Sequence, residues 1–212
     1  MKRIVILISG RGSNMLSLLE SDLPVEVCAV ISNRPDAAGI EIARNRGIEA
    51  FAVDHRQYSS REEFDAALSA KIDAFSPEIV VLAGFMRILG NDFVARYSGR
   101  LVNIPPSLLP SFPGVDTHRR ALAEGVKIHG CTVHFVTEQL DHGAIIIQAA
   151  VPVLQEDSAE TLAARVLAEE HRIYPQAIRW LAEGKLKLAD GRVFLESPGD
   201  PPAALIHPPL SP

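Results

Sequence analysis

The chain has 212 residues and a formal charge of −5, with 47% hydrophobic and 22% charged residues. That length suits one domain, with or without a tail, and the composition excludes bulk disorder. The net negative charge argues against wholesale binding along a nucleic-acid backbone, so no nucleic-acid partner is expected.

Met1-Lys2-Arg3 leads straight into the apolar run Ile4–Ile8, without the longer apolar segment and cleavage site of a signal peptide. Runs such as Ile4–Ile8 and Ile79–Ala83 are far too short to cross a bilayer, so no membrane partner is expected either. Cys28 and Cys131 both sit inside apolar runs, which predicts reduced, buried thiols in a cytoplasmic protein.

Ile4–Ile8 has no polar alternation, as expected of a central parallel strand covered on both faces. Val25–Ile31, Glu49–Val53 and Ile79–Ala83 repeat the theme, with helical stretches predicted over 14–20, 36–45 and 60–75. This rhythm predicts an α/β fold: a doubly wound, mostly parallel sheet with a Rossmann-like N-terminal half, in a single domain. Four prolines between Pro105 and Gly114 then forbid a helix. His129–Val136 and Ala144–Val153 read as two long strands joined through 137–143. Asp157 and Glu160 have capping-box spacing and open a helix towards Ala182, which Pro175 should kink. Lys185–Leu195 reads as a hairpin about Asp190-Gly191. The chemistry-bearing domain is therefore expected over 1–190. The remainder, 191–212, is the hairpin end and a proline-rich, irregular tail.

Three regions offer chemistry. Ile8-Ser-Gly-Arg-Gly-Ser-Asn14 joins the first strand to a helix; its glycines let the backbone approach a ligand, and the free amides of the helix start can cradle an anion. Met15 stands where the dinucleotide fingerprint needs a third glycine, and the P-loop lysine is missing. A phosphate on a small substrate fits better than NAD or ATP; the plainer alternative is a turn capped by Ser13. Ala83-Gly-Phe-Met-Arg-Ile-Leu89 follows the presumed fourth strand, at the edge where open sheets bind ligands. Flexible Met86 there suits a flat heterocycle, and simple packing on the next helix is the alternative. The third region holds Asn103, the proline-rich loop, His118, His129, His134, Asp141 and His142. Asn103 can donate to a developing oxyanion. No spacing there suits zinc, so no metal is expected.

Taken in order, these segments resemble the folate-dependent phosphoribosylglycinamide formyltransferases. The resemblance rests on Ile8–Asn14, Ala83–Leu89, Ser107-Leu-Leu-Pro-Ser-Phe-Pro-Gly114, His129–Val136 and Glu170-His-Arg-Ile-Tyr-Pro175. The tRNA-acting relatives carry a further C-terminal domain and the hydrolases an N-terminal regulatory one, and this chain is expected to have neither. The resemblance implies transfer of a formyl group from 10-formyltetrahydrofolate to glycinamide ribonucleotide, with both small molecules as partners and a monomer or homodimer as the working form. It implies that Gly12, Ser13 and Asn14 hold the phosphate and Glu170 the ribose. Arg61, Met86, Arg87, Ile88, Leu89 and Asn103 would bind the folate, and the loop 137–141 would close over its pteridine. Asn103 would stabilise the oxyanion and Asp141 would orient a catalytic histidine.

That histidine is missing, because the family reads Asn-Ile-His-Pro where this chain reads Asn103-Ile104-Pro105-Pro106. Proline has neither an ionisable group nor an amide proton, so slow turnover is expected. Three explanations compete: a histidine codon altered by one base, a natural binding protein that kept the pocket and lost the chemistry, or proton transfer taken over by His134 or His142. A nicotinamide-dependent oxidoreductase is a weaker possibility, opposed by the absent third glycine and by the lack of an acidic residue at the end of the second strand.

Overall fold

The computed structural model describes residues 1–197, 199, 205, 207 and 208. The rest of the expected irregular tail, at 198, 200–204, 206 and 209–212, lies outside the described residues. Seven strands form one sheet in the order β3-β2-β1-β4-β5-β6-β7. They are β1 Lys2–Ile8, β2 Val25–Ser32, β3 Ala50–Ala52, β4 Ile79–Leu82, β5 Leu101–Asn103, β6 Ile128–Phe135 and β7 Ile145–Pro152. The first five run parallel, while β6 pairs antiparallel with β5 and with β7. The expected doubly wound, mostly parallel sheet is therefore present. Its strand order reverses between β1 and β4, which makes the carboxyl ends of these two strands the natural ligand crevice.

β1 shows why a run without polar residues becomes the middle strand. Ile4, Ile6 and Ile8 face one core with α1 (Ser13–Glu20), α2 (Ala38–Arg44) and α6 (Ala159–Ala182). Val5 and Leu7 face a second core with α3 (Arg61–Asp73) and α4 (Asn91–Arg96). All five are fully buried. Burying each such side chain contributes roughly 1.5–3 kcal/mol, so both faces drive the strand inwards.

The long helix begins one residue away from the expected capping box. Ser158 is the cap: its Oγ accepts from the Thr161 amide at 3.2 Å, and Thr161 Oγ1 accepts from the Ser158 amide at 3.0 Å. Asp157 is drawn elsewhere, its carboxylate gripped by Arg165 at 2.7 and 2.8 Å. α6 continues through Pro175 to Ala182. Just before it, the Tyr174 hydroxyl donates to the Leu82 carbonyl at 2.8 Å, pinning the helix over the end of β4. The expected hairpin forms from β8 Leu186–Ala189 and β9 Arg192–Leu195. Asp190 and Gly191 both have positive φ, as a two-residue turn of this kind requires. The boundary expected at 190 falls within that turn.

Candidate active site at the carboxyl edge of the sheet

The loop after β1 turns at Gly12, which sits in the left-handed region at φ 75° and caps α1. The amide of Leu16 bonds back to the Gly12 carbonyl at 2.8 Å. The amides of Ser13, Asn14 and Met15, one turn earlier, have no carbonyl four residues back within the helix. They form a positive cradle, and α1 has no acidic residue in its first turn to compete with an anion. Ser13 does not cap the helix through its side chain, contrary to the plainer sequence alternative. The cradle opens into a cavity of about 470 Å³ lined by Arg11, Arg34, Arg87, Asn33, His55 and the backbone of Gly84, among others.

Asn14 reaches across to α6, its Nδ2 donating to Glu170 Oε2 at 2.6 Å between residues 156 apart in sequence. The phosphate and ribose residues implied by the resemblance are thus in contact. With Nδ2 committed to Glu170, Asn14 would meet a phosphate through its main-chain amide. Glu170 is buried, and burial pushes its carboxyl pKa up while the Asn14 bond pulls it down.

The loop 84–90 is clamped at both ends. The Met86 amide donates to Ser9 Oγ at 2.7 Å, and the Ser9 hydroxyl donates to Asn33 Oδ1 at 2.5 Å. At the far end the Gly90 amide donates to Asp65 Oδ2 at 2.7 Å. Asp65 is buried, which raises its pKa despite that bond. Between the clamps Met86 and Ile88 are 72% and 64% exposed, an apolar face open to a ligand. Arg87 lies with its guanidinium 5.1 Å from the Phe64 ring centroid. Arg61 stands apart from the cradle, at the start of α3 in a groove shared with Glu62, Asp65 and Gly90. The clamp residues Ser9, Asn33 and Asp65 escaped the sequence because each acts through a partner more than twenty residues away. The one local signal was Asp65, a carboxylate next to Phe64 and three residues before Leu68 on a buried helix stripe.

The third group assembles where β5 meets β6. Asn103 ends β5 directly opposite His134. Asp141, held at φ 52°, places Oδ1 3.8 Å from His134 Nε2, while its Oδ2 accepts from the Gly114 amide at 2.7 Å. Pro105 is buried two residues beyond Asn103, its carbonyl accepting from the Thr132 amide at 3.2 Å. Thr132 also anchors the proline-rich loop: its Oγ1 donates to the Ser107 carbonyl at 2.8 Å and accepts from the Leu109 amide at 3.0 Å. Gln148 from β7 joins that anchor, donating to the Leu109 carbonyl at 2.8 Å. Neither Thr132 nor Gln148 stood out in the sequence, since a polar residue facing a loop looks like any strand residue facing water.

The remaining histidines divide clearly. His129 is buried, its ring against Phe112 and His118 at centroid distances of 5.7 and 5.3 Å. Burial, helped by His118, holds its pKa down to about 4, so it is a neutral packing group. His142 is exposed. Among the described residues no group of three or more His, Cys, Asp or Glu side chains is arranged to hold a metal ion.

Gly143 fixes the end of the 137–143 loop, because a Cβ there would stand 1.6 Å from the Phe135 carbonyl oxygen. Gly143→Ala should therefore push the loop and Asp141 away from β6. The expected loss is about 1–3 kcal/mol of stability, read by chemical denaturation, together with a loss of activity. Unchanged stability and activity would show that the loop does not need this contact.

Comparison with known proteins shows the family. Residues 2–178 match the formyl transferase family. The chain is 47% identical over 203 residues to the phosphoribosylglycinamide formyltransferase of Escherichia coli K12, covering 94% of this chain and 96% of that protein. It is 44% identical to part of the trifunctional purine biosynthetic protein adenosine-3 of Gallus gallus, covering 89% of this chain but 19% of that longer protein. The crystal structure of glycinamide ribonucleotide transformylase 1 from Symbiobacterium toebii superposes with a TM-score of 0.89 at 50% identity, covering 92% of this chain and 94% of that one. With its cradle, clamped loop and Asn103–His134–Asp141 group on one edge of such a sheet, the chain belongs to the formyl transferase family.

Proposed function

We propose that this protein is a phosphoribosylglycinamide formyltransferase that moves the formyl group of 10-formyltetrahydrofolate to the amine of glycinamide ribonucleotide, a step of purine biosynthesis in the cytoplasm, working as a monomer or homodimer. The observation that carries this reading is the meeting of three groups at the sheet's carboxyl edge: an amide cradle joined to Glu170, the apolar loop 84–90, and Asn103 beside His134 and Asp141. The turn of Gly12, Ser13 and Asn14 binds the phosphate through the free amides at the start of α1, and Glu170 accepts from the ribose hydroxyls. Met86, Arg87, Ile88 and Leu89 receive the heterocycle, whose edge can hydrogen-bond to backbone held in place by Ser9 and Asp65. Arg61, at the outer end of that loop, meets the tail of the folate.

The amine attacks as a neutral nucleophile, and the formyl oxygen gathers negative charge as the tetrahedral centre forms. The Asn103 side-chain amide donates to that oxygen. Because β5 already fixes it, it need not reorganise during the reaction. One proton must leave the attacking nitrogen and one must reach the departing folate nitrogen. Neither transfer calls for a metal or a redox partner.

Pro105 favours one narrower alternative, a pocket that binds both ligands and turns over slowly. Incubating the purified protein with both substrates, and following formyl on glycinamide ribonucleotide by mass spectrometry, separates the two. Formylated product should appear, slowly, and only when both molecules are present. Tight binding of both without any product would leave the binding protein; binding of neither would overturn the proposal.

A further inference from the structure

Two histidines follow Pro105 in sequence as candidates for the proton chemistry that its ring cannot supply, and the structure separates them. His142 is exposed. His134 is 1% exposed and sits at an irregularity in the β6–β7 register, where a strand can re-aim a side chain. Its Nδ1 lies 2.8 Å from the Phe135 carbonyl. Since a carbonyl only accepts, Nδ1 carries the proton, and in the neutral ring Nε2 is left as an acceptor.

Nε2 is buried, has no hydrogen-bond partner among the described residues, and lies 3.8 Å from Asp141 Oδ1. Burial pushes the imidazole towards its neutral form, more strongly than Asp141 pulls it towards the charged one. Two acceptors therefore face each other across this 3.8 Å gap. Such an arrangement is completed by a proton, after which an imidazolium stands beside a carboxylate.

We propose that His134 and Asp141 form one proton-holding pair that stands in for the side chain Pro105 lacks, with Asp141 at the reaction centre and His134 the positioning residue behind it. This rests on the transferase reading above. As the amine nitrogen bonds to the formyl carbon, the carbonyl π electrons move to oxygen, beside Asn103. One proton of the attacking nitrogen passes through Asp141 to Nε2. It then returns to the folate nitrogen as the bond from that nitrogen to the formyl carbon breaks and the carbonyl re-forms. The pair ends as it began, and no further reactant is consumed.

The test is His134→Asn, made both in this chain and in its Pro105→His variant. Asparagine can keep the bond to the Phe135 carbonyl while removing Nε2. In this chain kcat should fall at least about tenfold, with KM for glycinamide ribonucleotide within about threefold. In the Pro105→His background, where a second imidazole is available, the same change should lower kcat by less than about threefold. An equal loss in both backgrounds marks a structural role and overturns the proposal, as does no loss in this chain. Should His134→Asn melt well below its parent, His134→Gln is carried through the same cycle and read by the same criteria. Absence of formyl transfer in this chain and in Pro105→His alike would instead overturn the transferase reading itself.

Discussion

Pro105→His should raise kcat for formyl transfer by at least about tenfold, a cautious figure for a general acid–base group whose contribution is commonly ~10²–10⁴. The backbone can accept the change. Position 105 precedes Pro106, and a residue before proline is held extended whatever its side chain. The hydrogen bond made by Pro105 runs through its carbonyl to the Thr132 amide, which a histidine would keep. Two residues beyond Asn103 along extended chain, the new imidazole would emerge on the face that Asn103 shares with His134. Asp141 is within reach of that face and would favour the charged ring. KM should move by no more than about threefold, because the substitution adds a group for the transition state and leaves the cradle and the loop 84–90 alone. Equal rates for the two proteins at saturating substrates would mean that position 105 carries no chemistry in this chain.

The parts legible in the sequence are those written in local pattern. A five-residue β-branched and leucine run without polar interruption, Ile4–Ile8, reads as a strand buried on both faces, and the Gly10–Asn14 segment after it as a turn into a helix. Three further apolar runs with helical stretches between them extend this to the doubly wound sheet, and the glycines of the turn carry the expectation of an anion cradle. The missed parts are written in pairs of distant residues. Asp65 stands out on the buried stripe of α3, but its role appears only when Gly90 is brought against it at 2.7 Å. Ser9 acquires its role from Met86, and Asn14 acquires a partner in Glu170 only because α6 returns across α1. The capping box moved for the same reason: Asp157 and Glu160 have the spacing, but Arg165 competes for Asp157 and Ser158–Thr161 offers an equivalent pair. The assembly of Asn103, His134 and Asp141 needs the antiparallel turn of β6 against β5, a change of direction that the N-terminal βαβ rhythm does not announce.

Asn103→Ala should lower kcat by ~10²–10³, the usual consequence of removing one oxyanion donor. The amide is half-buried at the last position of β5, where Leu82 and His134 flank it in the sheet. Those pairings use main-chain groups, so alanine should leave the strand intact and the thermal midpoint nearly unchanged. KM for both substrates should also stay close to its original value, since a donor that meets charge only in the tetrahedral state binds the transition state and not the ground state. Asn103→Asp sharpens the test. Aspartate has the same shape, yet it would place a carboxylate against the oxygen on which negative charge develops, so it should be no better than alanine. An aspartate variant retaining most of the original kcat, or an alanine variant within about threefold of it, would show that the oxyanion is stabilised from elsewhere. The backbone amides of the proline-rich loop anchored by Thr132 would then be the next donors to examine.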